Sequence, residues 1–203
     1  MHTSFRTYLD AGSTTPVSDA DFARICAAFM PKNLKKKAFL VRAGEICKHL
    51  VFVLTGALRL YSVGDKGSEH VLSLGVENCW VGDRESWVLL TPSRYYLEAV
   101  EDSSLLLITH AQMQELLRTV PAWAELMRGV NRRQSIATQK RLEATISRTA
   151  EERYVAFRAQ HPNYEHRFCQ HLIASYLGIL PETLSRIRMR QLAVKTPLAE
   201  VLS

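Results

Sequence analysis

The sequence has no apolar run that approaches the roughly 18 consecutive residues of a membrane-spanning helix. Its N-terminus also lacks a basic region followed by an apolar core, which a secretory signal would show. We therefore expect a cytoplasmic protein. With 203 residues, 47% of them hydrophobic and 23% charged, the chain has enough apolar material for one or two domains with buried cores.

Cysteine is scarce, and its four positions are far apart. They are Cys26, Cys47, Cys79 and Cys169, without a C-x-x-C pair or a tight cluster. Zinc ribbons and iron–sulfur centres need closely spaced ligands, so we expect neither and interpret the cysteines as buried or unreactive thiols. His161, His166 and His171 lie near Cys169, but their spacing matches no tetrahedral ligand set. We interpret these histidines as solvated or capping side chains.

The residues that enzyme chemistry would need are also missing. His49, His70 and His110 are isolated, no H-x-H pair occurs among them, and no Ser/His/Asp or Cys/His set is recognisable from its spacing. We therefore expect a binding protein and not an enzyme, with no cofactor and no metal.

Positive charge is concentrated in the C-terminal third. Residues 1–127 contain 13 basic and 14 acidic side chains, whereas residues 128–203 contain 13 basic and 6 acidic ones, so the net charge of +6 comes from the C-terminal part. A neutral front joined to a basic end is typical of a sensor or scaffold that carries a polyanion-binding module. A basic tail near a membrane surface is the alternative.

The N-terminal part begins with a polar, Ser/Thr-rich segment, residues 1–17. Ser18 and Asp19 offer capping oxygens for a short helix with apolar residues from Phe22 to Phe29, which we expect to stop before Pro31. The basic run 32–37 is typical of a solvated strand edge, where lysine discourages edge pairing.

An all-β pattern follows from Ala38 to Ile108. Its short apolar stretches are Phe39–Val41, Leu50–Leu54, Ala57–Tyr61, His70–Leu74, Tyr95–Val100 and Leu105–Ile108. Strands of this length, separated by Gly, Asp, Asn and Ser, predict a double-sheet jelly roll with room for a pocket between the sheets. The fold class is therefore α+β, with an N-terminal double-stranded β-helix.

Helical spacing returns after the strands. It predicts a helix from His110 to Thr119 and a long helix from Ala122 to Arg148. At alternating four- and three-residue steps the long helix presents a mostly apolar seam: Trp123, Met127, Val130, Gln134, Ala137, Arg141 and Ala144. This seam is either the interface of a two-helix homodimer, which Val130→Glu would break, or the face that packs on the β-roll.

A third module begins near Arg148. Thr149-x-x-Glu152 spells a capping box for a helix that ends before His161-Pro162. We expect three regions: a β-roll sensor-like domain over 1–110, connecting and dimerisation helices over 111–148, and a helix-turn-helix domain over 149–203.

The chain is organised around Cys169–Gln191, which predicts two helices joined at Gly178, with Pro181 in the first turn of the second. Ile173, Leu177, Leu184 and Ile187 are the expected buried residues. The second helix leaves a polar set available to DNA: Glu182, Thr183, Ser185, Arg186, Arg188 and Arg190. Arginine pairs with guanine and Glu accepts from cytosine, so this set can read base edges. The alternative is a solvated helix face.

The pattern Q-x-x-I-A-x-x-L-G followed by P-E-T-L-S-R resembles the helix-turn-helix of the Crp/Fnr family of bacterial transcription regulators. Glu182, Thr183 and Arg186 match the family, while Pro181 and Leu180 depart from its usual Arg or Ser and its capping Ser or Thr. The resemblance implies a homodimer that binds a palindromic operator in double-stranded DNA, with RNA polymerase as a candidate partner.

Residues 30–110 resemble the cyclic-nucleotide-binding β-roll of the same family. The resemblance places the ligand contacts at Gly82, Asp83, Ser93 and Arg94, with Arg94 on the cyclic phosphate. Asp83 is one methylene shorter than the usual Glu that accepts from the ribose, and Tyr95 replaces a small hydroxyl residue. We expect Tyr95, Tyr96, Trp80 and Trp87 to fill this region.

These departures predict a sequence-specific transcription regulator that cyclic AMP does not gate, with an unknown small-molecule effector or none. Two alternatives stay open. One is a cyclic-nucleotide-responsive regulator, and the other is a cyclic-nucleotide-binding-like module that docks on a protein partner without DNA.

Overall fold

The computed structural model describes the backbone of residues 2–195 and the side chains of residues 3–191. Its helices are α1 (His2–Gly12), α2 (Asp19–Ala27), α3 (Arg84–Leu89), α4 (His110–Thr119), α5 (Pro121–Ser147), α6 (Ala150–Gln160), α7 (Tyr164–Arg167), α8 (Gln170–Leu177) and α9 (Pro181–Lys195). Its strands are β1 (Met30–Leu34), β2 (Phe39–Val41), β3 (His49–Thr55), β4 (Leu58–Val63), β5 (Glu69–Gly75), β6 (Trp80–Val81), β7 (Tyr96–Ala99) and β8 (Ser103–Thr109). The chain divides into two compact units between Ala137 and Thr138.

The strands form two four-stranded antiparallel sheets, which confirms the predicted jelly roll. The first sheet has the order β1-β8-β3-β6 and the second β2-β7-β4-β5. All six predicted apolar stretches form strands. The basic run begins in β1, which pairs with β8 at the edge of the first sheet, as expected for a solvated edge. The two-residue strand β6 is too short to have produced an alternating pattern.

The central strands of the first sheet, β3 and β8, are buried on both faces. Strand β3 is a continuous apolar run in which Val51, Phe52 and Val53 are completely buried. Alternate side chains of a strand point to opposite faces, so such a run requires a covering layer on each side. The second sheet covers one face. On the other face, aromatic rings from helices and strands meet in one cluster: Phe5, Tyr8, Phe29, Phe52, Trp80 and Trp123.

Helix α1 lies in the segment that the sequence indicated only as polar. Its residues Phe5 and Leu9 stand four positions apart and are both buried. Tyr8 also joins the core, where its hydroxyl accepts a hydrogen bond of 3.0 Å from Trp80 Nε1. Three core residues among many hydroxyl residues were too few to reveal the helix by composition, although their spacing places them on one side.

Helix α2 is capped as predicted, because the Ser18 side chain accepts from the amide of Asp21. The helix ends at Ala27, before Pro31 as expected, and Pro31 itself lies in β1. A proline fits there because β1 is an edge strand, where a missing N–H costs no ladder bond on the open side.

Helices α4 and α5 start and end close to the predicted positions, but α5 uses its seam differently. Trp123, Met127 and Val130 are buried in the same core as the β-roll. The first half of the predicted dimer seam therefore packs on the β-roll, and Val130→Glu would test folding instead of dimerisation. The side chains of residues 131–140, which include Gln134 and Ala137, are all exposed.

The second unit contains α6 to α9 and its own core. The predicted capping box at Thr149 is present, with Glu152 as the reciprocal partner. Tyr154 and Phe157 of α6 are buried together with residues of α8 and α9. Within the described residues, no helix is both long and apolar enough to cross a bilayer.

Glu125 on α5 fastens the loop after α1. Its carboxylate accepts hydrogen bonds from the hydroxyls of Ser13, Thr14 and Thr15, at 2.9, 2.6 and 2.8 Å, and from the amides of Thr14 and Thr15, both at 3.1 Å. Foremost among these, the Thr14 hydroxyl stabilises the charged form and lowers the pKa of Glu125 from 4.5 to about 2. The ionised carboxylate therefore joins α1 to α5.

We predict that Glu125→Gln lowers the melting temperature at neutral pH. A depressed pKa contributes stability above the unfolded-state value, and this contribution disappears as the pH falls through the folded-state value. The difference in melting temperature between wild type and variant should therefore shrink between pH 4.5 and about 2. Glu115→Gln on α4 is the control for losing one exposed carboxylate. A difference that stays constant through this pH range would contradict the assignment.

Candidate nucleic-acid interface and nucleotide cassette

Helices α8 and α9 are joined at Gly178, which adopts the predicted left-handed conformation with φ 64°. Glycine enters this region without the steric cost that a Cβ brings. The amide of Gly178 donates to Ser175 O at 3.1 Å, and the amide of Ile179 donates to Ala174 O at 3.0 Å. These bonds satisfy carbonyls at the end of α8. Helix α9 then begins at Pro181, as predicted.

The apolar faces of the two helices pack together. Ile173, Leu177, Leu184 and Ile187 are buried, which confirms the predicted core residues. Ala174 is also fully buried, and its small side chain permits a close approach of the helices. The packing fixes which side of α9 faces outward.

The outward side of α9 carries most of the predicted DNA-binding residues. Glu182, Ser185, Arg186 and Arg190 are exposed, whereas Thr183 and Arg188 are half-buried. Leu180 accepts the first helical bond through its carbonyl, from Leu184 N at 3.1 Å, but its side chain has no oxygen with which to cap the helix. The start of α9 therefore has amide groups that Ser or Thr at this position would help to satisfy.

Arg153 on α6 holds the turn in place, a role that the sequence did not suggest. Its guanidinium donates to Leu177 O at 2.8 Å, at the end of α8. The same nitrogen lies 3.5 Å from the point that a Cβ on Gly178 would occupy. The buried Nε of Arg153 has no partner, so the side chain is positioned by this one carbonyl and by packing. Spacing alone carries no signal for such a contact.

A second polar group ties α6 to α9. Arg158 pairs with Glu165 at 2.8 Å and donates to Gln191 Oε1 at 3.1 Å. The Tyr154 hydroxyl donates to the same carboxylate of Glu165. Burial, together with this bond to Glu165, raises the pKa of Tyr154 to about 12. Of these contacts, the bond from Arg158 to Gln191 joins α6 to the C-terminal part of α9.

The four predicted nucleotide-contact residues lie on or near α3 of the β-roll, but they do not converge on one point. Asp83 is buried and caps α3: its Oδ1 accepts from the amides of Glu85 and Ser86, at 3.1 and 3.2 Å, and its Oδ2 accepts from Ser93 Oγ at 2.7 Å. Gly82 precedes it with φ 154°. Arg94, by contrast, has a side chain that is 79% exposed and lies 3.9 Å from Glu85.

The aromatic residues of this region divide between two faces. Tyr95 packs partly buried against the core, and Trp80 and Trp87 are buried, as expected. The expectation for Tyr96 was wrong. It lies on the outer face of the second sheet, where it stacks on Tyr61 with ring centroids 5.2 Å apart. The alternation of strand β7 explains the difference, because Tyr96 points opposite to the buried Leu97.

The four cysteines lie in different environments: Cys47 is buried, Cys26 and Cys79 are half-buried, and Cys169 is exposed. For Cys169 the expectation of a buried or unreactive thiol therefore stays a prediction of low reactivity. Within the described residues, no three side chains among His, Cys, Asp and Glu gather in a group able to hold a metal ion.

Residues 31–120 match the cyclic nucleotide-binding domain family. The chain is also 27% identical over 177 residues to the transcriptional activator protein Anr of Pseudomonas protegens, a match that covers 78% of this chain and 69% of Anr. It is 25% identical over 170 residues to the fumarate and nitrate reduction regulatory protein of Yersinia pestis, covering 77% of this chain and 66% of that protein.

The fold is similar to that of FixK2 from Bradyrhizobium japonicum, with a TM-score of 0.68 and 19% identity over 82% of this chain and 85% of FixK2. This similarity extends over both units and so supports the order of a β-roll, a long helix and a C-terminal helical module.

Proposed function

We propose that the chain, as a member of the Crp/Fnr family of transcription regulators, is a sequence-specific DNA-binding regulator that acts as a homodimer without cyclic AMP. The proposal includes a cytoplasmic location. The observation that carries it is the exposed Glu182-Arg186-Arg190 face of α9 beyond the Gly178 turn, on the basic part of the chain.

DNA reading by α9 follows from the chemistry of this face. The guanidinium fork of Arg186 matches O6 and N7 of guanine in the major groove, and Glu182 can accept from a cytosine amino group. Arg190 adds positive charge toward the phosphates, which supplies sequence-independent affinity. Arg153 and Arg158 support the face from behind through their bonds to Leu177 and Gln191.

Dimerisation is supported by the exposed stretch of α5 that follows Val130. Residues 131–140 form nearly three helical turns in which every side chain is exposed. Further along, Leu142 and Ile146 are four residues apart and 62% and 79% exposed. Isolated helices of this length are marginal in water, so a second copy of α5 is the natural support. A two-fold dimer predicts palindromic operators with half-sites about 34–36 Å apart.

Independence from cyclic AMP is supported by the contacts of Asp83. A phosphate cradled at the start of α3 would need the amides of Glu85 and Ser86, which already donate to the Asp83 carboxylate. It would also have to lie beside that buried negative charge, which costs energy. Arg94 points to solvent and would have to turn inward to offset the repulsion. The residues present therefore do not fit a cyclic nucleotide.

We predict that Arg186→Ala weakens binding to a selected operator by roughly 1–3 kcal/mol and relaxes base preference at one position, because one bidentate base contact is lost. Titration of the operator and of a scrambled duplex measures both effects. Arg118→Ala, an exposed arginine on α4, is the matched control. Equal weakening on both duplexes would instead make Arg186 a phosphate contact.

We predict that Leu142→Glu converts the dimer to monomers, since it places like charges across the proposed interface in place of apolar contact. Sedimentation velocity measures the change. Val63→Glu, which alters an exposed apolar residue of β4, should leave the dimer intact. A dimeric Leu142→Glu protein would show that the interface lies elsewhere.

A further inference from the structure

Helix α3 is fixed firmly in the β-roll. Ser86 Oγ accepts from Cys47 N at 2.8 Å and donates to Thr91 O at 2.6 Å. Trp87 is buried, and its Nε1 donates to Ile108 O at 3.2 Å, in β8 of the first sheet. Together with the Asp83 cap, these bonds leave α3 little freedom to rotate or slide. Any side chain that α3 projects is therefore mounted on a rigid support.

The first residue of α3, Arg84, reaches from this support to α5. Its guanidinium donates through Nη1 to Asn131 Oδ1 at 2.9 Å and through Nη2 to Gln134 Oε1. The two acceptors are three residues apart and so lie on one side of α5. A planar fork that binds two points on one helical face fixes both the rotation and the axial position of that face.

Both acceptors of the Arg84 guanidinium are neutral amide oxygens. Among the described residues, no carboxylate lies within ion-pair distance of Arg84. Burial lowers the pKa of the guanidinium, which nonetheless stays charged at any physiological pH. A partly desolvated guanidinium binds its acceptors strongly, because an N–H group that is removed from water and left without a hydrogen bond costs free energy.

The acceptors belong to the stretch of α5 that packing does not hold. Trp123, Met127 and Val130 anchor the helix up to residue 130, and every side chain from 131 to 140 is exposed. Arg84 thus joins helix α3 to the start of the segment that we propose for dimerisation.

We propose that Arg84 is a positioning residue that fixes the start of the exposed stretch of α5 to helix α3. The inference rests on the proposed function. The Arg84 bridge holds the region from Asn131 to Gln134 in the orientation that the dimer needs for operator binding, so that DNA affinity requires no small molecule. Arg84 contacts neither DNA nor ligand in this account.

The test uses the full-length protein and a selected operator. Arg84→Met should weaken operator binding about tenfold, which is the size expected for hydrogen bonds to a charged group. Gln134→Leu should weaken it less, and the double variant should be no weaker than Arg84→Met, because both changes remove one shared contact. Arg84→Gln combined with Gln134→Arg, which exchanges donor and acceptor, should recover part of the affinity.

Two measurements separate this inference from the proposed function. Arg128→Met on α5 is the matched control and should bind the operator like the wild type, and the melting curve of Arg84→Met should show that it is still folded at the assay temperature. Amide hydrogen exchange of residues 131–137 should be faster in Arg84→Met than in the wild type, with or without DNA.

A wild-type protein without specific DNA binding would overturn the proposed function, and the exchange measurement would then decide whether the bridge exists. Operator binding by Arg84→Met equal to that of the wild type, or unchanged exchange, would overturn the role of Arg84 alone.

Discussion

The burial of strands β3 and β8 on both faces determines which parts of the other elements are available for packing elsewhere. Strand β3 has no polar side to turn toward water, so the sheet needs a second layer on the face that the β-roll leaves open. Helices α1 and α5 supply much of it, through Phe5, Leu9 and Trp123. Because the first apolar residues of α5 pack in this layer, the exposed part of the helix begins only after Val130. The packing of the core therefore determines where the proposed dimer interface can lie.

The same sheet also holds helix α3 in place. Trp87 donates to a carbonyl of β8, and Asp83 turns its carboxylate back to the amides that begin α3. The first amides of α3 and the Asp83 carboxylate therefore already form hydrogen bonds with each other. A phosphate would gain little binding free energy at such a site, because each hydrogen bond to the phosphate would have to replace an existing internal one. Arg84, the basic residue of α3, directs its guanidinium to α5 instead.

Much of the fold could be predicted because its signals are local. Short apolar stretches bounded by turn residues located the strands, the Thr149 capping box located α6, and Gly178 with Pro181 defined the helix-turn-helix. The exposed face of α9 followed from the period of Leu184 and Ile187. Each of these features depends on residues within a few positions of one another.

The parts that could not be predicted depend on distant residues. The spacing of Trp123, Met127 and Val130 suits a dimer seam as well as a face against the β-roll, and only the location of the buried sheet decides between them. Tyr96 follows another tyrosine, Tyr95, so the sequence does not distinguish the two, and the outward direction of Tyr96 depends on the register of β7. The contacts of Arg153 with Leu177, and of Arg84 with Gln134, join segments whose separation carries no periodic signal.

The central claim is that this regulator recognises DNA without a cyclic nucleotide. Its most direct test is selection of operators from random duplexes, followed by binding titrations with no nucleotide, with cyclic AMP and with cyclic GMP. We expect specific binding to a palindromic site that neither nucleotide changes, and calorimetry that detects no nucleotide binding tighter than about 1 mM. Micromolar binding of either nucleotide that also tightens operator affinity would contradict the account and would make Gly82, Asp83, Ser93 and Arg94 working contacts.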